Sequence, residues 1–222
     1  MNVISLTTAY MQSHCYLIEE DNHIIIIDPG DSEIAKKIIN EMHYVVDFCI
    51  LTHEHCDHSY GCSSIKEAFG CNIISSENCN VSLMNTRKNF SQYYDAFIEI
   101  QTQYPAEEQG RIEPFKTNSD IVFVDEKRID WMQHQIYLKE TPGHSLGSIC
   151  ILIDDSILFS GDTLLLNEPT KTNYPGSNKD DLRQVTIPWL MSLKDGVTVY
   201  AGHGESFLLE DRLSKGNIIE EE

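Results

Sequence analysis

Three of the nine histidines stand within six residues, in the run Thr52-His53-Glu54-His55-Cys56-Asp57-His58. Imidazoles packed this densely repel one another once protonated and gain little from packing. Neutral imidazole and carboxylate at this spacing instead suit a transition-metal site. In an extended chain His53 and His55 point to one side. Asp57 and His58 follow as the chain turns towards a helix expected from Ser59 to Phe69. Cys56, between ligand-type residues, reads as a small filler.

Three later positions repeat one design. His144 follows an expected strand, Gln135 to Thr141, and a Thr-Pro-Gly turn; Asp162 follows Ser156 to Ser160 and Gly161; His203 follows Val197 to Ala201, between Gly202 and Gly204. Each is a ligand-type side chain just past an apolar strand, with glycine adjacent to permit a tight turn or close backbone approach. Taken singly, either histidine suits a turn and the aspartate suits a cap. The recurrence of the design points to a shared site at the edge where strand ends converge.

The elements that must hold these residues are legible in outline. Tyr16 to Glu19 and His23 to Asp28 read as a hairpin turning at Glu20-Asp21-Asn22. Ile24 to Ile27 is apolar on both sides, as in a strand covered on both faces. Ser32 to Met42 carries apolar residues at helical spacing, with Ser32 as the expected cap. Val45 to Thr52 and Cys71 to Ser75 read as strands. From Glu77 to about Thr117 the pattern gives way to aromatics, among them Phe90, Tyr93, Tyr94, Phe97 and Tyr104, on one or two helices plus loop. Aromatics at this spacing pack a helix onto the body more often than they form a lid. Further strands are expected at Asp120 to Val124 and Ser148 to Asp154. Lys179 to Leu193 reads as helical around Pro188, and Glu220 to Glu222 as a frayed end. Strands with intervening helices occur twice, which suggests two sheets with helices outside.

Composition sets outer bounds. The 222 residues suit one domain with a sizeable core. With 35 acidic against 16 basic residues, the formal charge of −19 argues against nucleic acid or an anionic membrane as partner. It leaves room for a small anionic substrate in a locally basic pocket. No segment is apolar and long enough to span a bilayer. The N-terminus does not read as a secretion signal, and the seven cysteines form no CxxC pair. Reduced thiols in a cytoplasmic protein are the expectation; the oligomeric state is not legible.

His53-Glu54-His55-Cys56-Asp57-His58 matches the HxHxDH motif of the metallo-β-lactamase-fold superfamily, which the sequence resembles from about Tyr16 to Gly204. The resemblance implies an α+β fold, a four-layer αββα sandwich forming a single domain over 1–222, with a helical and loop insertion around 77–117. It also implies two divalent metal ions, zinc first, with iron or manganese as alternatives. It assigns His53, His55 and His144 to one metal, Asp57, His58 and His203 to the other, and Asp162 as the bridge. Asp57 would in addition act catalytically, holding a water and delivering a proton. Gly161-Asp162-Thr163-Leu164, Thr172-Asn173-Tyr174-Pro175-Gly176-Ser177 and Ala201-Gly202-His203-Gly204 resemble the short glyoxalase II-like hydrolases, which cleave thioesters. Where an arginine usually precedes the Pro-Gly segment, this chain has Lys171, so Lys171 and Tyr174 are its candidate substrate contacts. Sulfur dioxygenases, which resemble glyoxalase II and use one iron on the three-histidine site, supply an alternative; lactonase and β-lactamase chemistries are others.

Overall fold

The computed structural model describes residues 1–102 and 110–219, so Tyr104 and the acidic end from Glu220 lie outside the described residues. The chain forms two compact units, Met1–Ser75 with Asn80–Val122, and Ser76–Cys79 with Phe123–Glu222.

The first unit is built on a mixed sheet in sequential order: β1 (Asn2–Thr7), β2 (His14–Glu20), β3 (His23–Ile27), β4 (Val45–Ile50), β5 (Asn72–Ser76) and β6 (Ile121–Phe123). The expected hairpin is β2–β3. Its turn residues Asp21 and Asn22 are both left-handed, at φ 48° and 66°, the geometry that matches the twist of a two-residue hairpin. β3 pairs parallel to β4 and β4 parallel to β5, so Ile24 to Ile27 are covered on both faces and buried.

Helix α1 (Ser32–Met42) makes the first crossover. Its cap is Asp31, not the expected Ser32: the Asp31 carboxylate accepts from the Glu33 amide at 3.0 Å. A carboxylate satisfies the open amide and also places negative charge at the positive helix end. The single helix expected from Ser59 is two, α2 (Cys56–Ser59) and α3 (Cys62–Phe69). The break falls at Gly61, whose amide donates to the Pro29 carbonyl at 2.8 Å. A Cβ on Gly61 would stand 2.3 Å from that oxygen, so the chain must bend here to pass Pro29. Asp57 and His58 therefore sit inside a helical turn rather than before one.

The aromatic stretch holds α4 (Glu77–Leu83), a 3₁₀ turn at Ser91–Tyr93 and α5 (Tyr94–Thr102). Tyr94, Ile98 and Ile112 bury together with Cys56, and Tyr10, Tyr60, Phe90 and Phe115 pack on them. The stretch thus fastens α5 to the turn that carries Asp57 and His58. Cys56 is the filler expected of it, whereas Tyr93 is exposed.

The second unit holds a mixed sheet of β7 (Glu126–Trp131), β8 (His134–Glu140), β9 (Ile149–Ile153), β10 (Ile157–Gly161), β11 (Thr198–Ala201) and β12 (Phe207–Leu208), adjacent in that order. The pair β10–β11 is parallel and needs a crossover. The expected helical stretch supplies it as α6 (Lys179–Asp181), a π-helical turn at Leu182–Thr186 and α7 (Ile187–Met191). Pro188 lies in the first turn of α7, where its missing N–H costs little. α8 (Leu209–Ser214) closes the unit, and Leu190 and Leu209 join Leu158 and Val199 in its core.

All seven cysteines are buried, and none is in a disulfide. Burial pushes the thiol of Cys62 up to about 11 and that of Cys150 up to about 12, so both stay protonated at neutral pH. Among the described residues no helix is long and apolar enough to cross a membrane.

Candidate metal centre

In the first unit, β4 ends at Ile50 and delivers Thr52, His53 and His55 to one place. The His53 and His55 rings meet edge to face with centroids 4.5 Å apart, and His53 and His58 lie 4.4 Å apart. All four ligand-type side chains here are buried: His53 1%, His55 7%, Asp57 6% and His58 0% exposed. Burial of this kind is costly for any polar or charged group that is not compensated.

Asp28 organises this set, and it was not among the residues singled out from the sequence. It stands just past β3 at φ 51°, buried. Its carboxylate accepts from the Thr52 amide at 2.7 Å, from the Thr52 hydroxyl at 2.5 Å and from His58 Nδ1 at 3.1 Å. The Thr52 hydroxyl, having donated to Asp28, is left to accept from His53 Nδ1 at 3.0 Å. With Nδ1 protonated on both rings, the Nε2 lone pairs of His53 and His58 are the ones available to a metal. Asp28, His53 and His58 also bring one donor atom each within 4.8 Å of one another.

Asp57 is placed by its main chain. Its carbonyl accepts from Ser13 Oγ at 2.7 Å, and Gly30 lies so close that a Cβ there would be 1.7 Å from the same oxygen. This leaves Asp57 Oδ2 at 3.4 Å from His58 Nε2.

In the second unit, the turn Thr141-Pro142-Gly143 presents His144. Gly143, at φ 150°, packs on Leu182 of the π-helical turn, where a Cβ would meet the Leu182 Cβ at 2.6 Å. The Thr186 hydroxyl of the same turn donates to the Pro142 carbonyl at 2.6 Å. His144 Nδ1 bonds the Lys171 carbonyl at 3.1 Å, which again leaves Nε2 available, and Tyr174 stands edge-on to the ring at 6.0 Å. Asp162 follows an irregularity in β10 between Phe159 and Gly161, and the Gly202 amide ties the His203 loop to the Gly161 carbonyl at 2.8 Å. As a result one oxygen, Asp162 Oδ2, lies 3.7 Å from His144 Nε2 and 3.5 Å from His203 Nε2.

These separations test the donor set for a metal. Two ligand atoms each ~2.1 Å from a tetrahedral ion stand about 3.4 Å apart. The Asp57–His58, Asp162–His144 and Asp162–His203 pairs lie at 3.4, 3.7 and 3.5 Å. In the first and last pairs the atoms are too far apart for a short ion-pair bond and close enough to share an ion. The donor set fits.

The model of the metallo-β-lactamase superfamily matches residues 9–203, a span that contains every ligand-type residue named above. The chain belongs to the metallo-β-lactamase superfamily. Its two mixed sheets with their helices are the α+β architecture of that fold, as the sequence led one to expect. Hydroxyacylglutathione hydrolase GloC of Haemophilus influenzae is 25% identical, over 92% of this chain and 91% of that protein. Among solved structures, BLEG-1 B3 metallo-β-lactamase aligns with a TM-score of 0.78 at 21% identity, over 96% of this chain and 97% of that one. ETHE1 from Myxococcus xanthus aligns at 0.73 and 18%, over 98% and 83%. As a superfamily member the chain carries a metal-binding His and Asp cluster.

Other supporting residues escaped the sequence reading for different reasons. Asp28 fits the pattern that marked His144, Asp162 and His203, a ligand-type side chain past an apolar strand with glycine near, and that pattern would have found it. Ser13 and the Lys171 carbonyl carry no such signal.

Proposed function

We propose that the chain is a metal-dependent hydrolase that cleaves a small thioester or ester, in the manner of glyoxalase II. His53, His55 and His144 would hold one divalent ion, Asp57, His58 and His203 a second, and Asp162 both. The observation that carries this reading is the position of Asp162 Oδ2, at ligand-sharing distance from a histidine of each proposed set. The 25% identity to hydroxyacylglutathione hydrolase GloC, over nearly the full length of both chains, supports the thioester class.

When bound, the ions supply Lewis acidity and a water acidic enough to serve as nucleophile near neutral pH. The chain's own residues do the rest. Asp28, Thr52 and the Lys171 carbonyl fix the tautomers of three histidines. Asp57, buried and held by its main chain, would accept a proton and pass it to the leaving thiolate. The seven ligands bring only two carboxylates, so the loaded site is cationic and draws an anionic or carbonyl substrate despite the charge of −19. Lys171 and Tyr174 would meet the substrate beyond His144.

The test is elemental analysis of metal-replete protein with hydrolysis of S-lactoylglutathione, repeated on Asp162→Ala. About two zinc ions per chain with turnover, and loss of most activity in the variant, are expected. Near-normal turnover of Asp162→Ala with both metals retained overturns the ligand assignment. About one iron per chain, no hydrolysis and oxygen uptake with a persulfide would mark the dioxygenase alternative instead.

A further inference from the structure

Phe90 is a bulky residue in a conformation that favours glycine. Its backbone lies at φ 62°, ψ 0°, where a Cβ crowds the following carbonyl. The strain is held in place by Asn89, which is fully buried. The Asn89 side-chain amide donates to the carbonyls of Leu83 at 3.3 Å and Phe115 at 3.0 Å. Its oxygen accepts from the Ser91 amide at 3.0 Å and the Ser91 hydroxyl at 2.7 Å. Ser91 Oγ in turn accepts from the Phe115 amide at 3.1 Å, and the Phe90 carbonyl accepts from the Tyr93 amide at 2.9 Å. Every hydrogen-bonding position of the Asn89 side chain is thus used to clamp the residue beside it.

The clamp aims the Phe90 ring at His55. The two rings meet edge to face with centroids 4.7 Å apart and planes at 63°. The His53 ring also meets His55 edge to face, with centroids 4.5 Å apart, so His55 has aromatic contacts with both Phe90 and His53. We infer that Phe90 is a positioning residue, held in a strained backbone so that its ring fixes the orientation of His55 for metal binding. Strain of this kind persists where the surroundings over-determine it, and it clusters at functional sites. The inference rests on the proposed function only in taking His55 as a ligand.

The experiment compares wild type with Phe90→Ala, Phe90→Gly and Phe90→Tyr by two readouts: zinc affinity in competition with a chromophoric chelator, and melting temperature of the metal-free protein. Zinc affinity is expected to fall about tenfold or more in Phe90→Ala and Phe90→Gly, and to stay within about twofold in Phe90→Tyr, which keeps the ring edge. Metal-free Phe90→Gly should melt above Phe90→Ala, reversing the usual order, because glycine is at ease in this backbone. A purely structural residue would lower melting without weakening zinc. Unchanged zinc affinity in the alanine and glycine variants overturns the inference, and so does a glycine variant that melts below the alanine one. A wild type that binds no zinc overturns the proposed metal site itself, a separate outcome.

Discussion

Lys171 contributes to the site through its main chain. Its carbonyl fixes His144, while its side chain is 40% exposed and its ammonium lies 3.8 Å from Glu168. Alanine at this position keeps the first role and removes the second. Metal content should therefore be unchanged in Lys171→Ala, while KM for an anionic thioester rises more than kcat falls. An exposed charge pair is worth ~0.2–1 kcal/mol, so the rise in KM should be roughly 1.4- to fivefold. Unchanged kinetics would leave the ammonium as a solvated loop charge. The same residue shows what spacing alone can reveal. Imidazoles and carboxylates are scarce enough for their clustering to stand out. The groups that orient them here are a carbonyl, two hydroxyls and one carboxylate, and all but the last are present along any chain.

The elements turn on glycines whose purpose is contact rather than flexibility. Gly30 lets the chain after β3 lie against the carbonyl of Asp57, and Gly61 lets the turn between α2 and α3 lie against Pro29. Gly30→Ala would place a carbon 1.7 Å from a main-chain oxygen, where no rotamer can relieve the clash. The variant should lose about 3 kcal/mol or more, measured by denaturant unfolding, and should bind less metal because α2 must shift. Gly70→Ala is the control. Its φ of 71° is strained for alanine, yet its Cβ meets open space, so the loss should be near ~1 kcal/mol and metal binding unchanged. Equal losses would mean that α2 is not seated by Gly30. Period and burial made β3 and α1 plain, because both bury a regular apolar pattern. β1, β7, β12 and α8 were not anticipated. β7, Glu126–Trp131, alternates charged residues on its exposed face, and β12 is two residues long. Neither carries enough apolar signal to be recognised without its neighbour in the sheet.

At the scale of the whole molecule, charge is the dominant feature. With 35 acidic and 16 basic residues, acidic groups outnumber lysines and arginines by more than two to one. Pairs such as Lys66–Asp120, Lys139–Asp125 and Lys194–Asp155 are exposed and of small individual value. Asp120 shows how such a pair persists: burial alone would raise its carboxyl, but the Ile73 amide and Lys66 outweigh that and hold it below its ordinary value of 3.8. Its contribution is therefore full above that value and is lost only as pH falls through the lower folded value. The unpaired acids behave differently, since near neutral pH they repel one another in the folded state at closer range than in the unfolded chain. Salt shortens the reach of that repulsion from about 30 Å at 0.01 M to about 8 Å at 0.15 M. It also weakens the few surface pairs, with the opposite effect on stability. Since acids outnumber bases by 35 − 16 = 19, repulsion should prevail. The metal-free protein at pH 7.5 should gain ~1 kcal/mol between those two salt concentrations, roughly 2–4 °C in Tm for a chain of this length. The gain should shrink towards pH 4.5, where unpaired carboxylates take up protons while Asp120 keeps its charge. A Tm that falls with salt at pH 7.5 would mean that the ion pairs outweigh the excess negative charge.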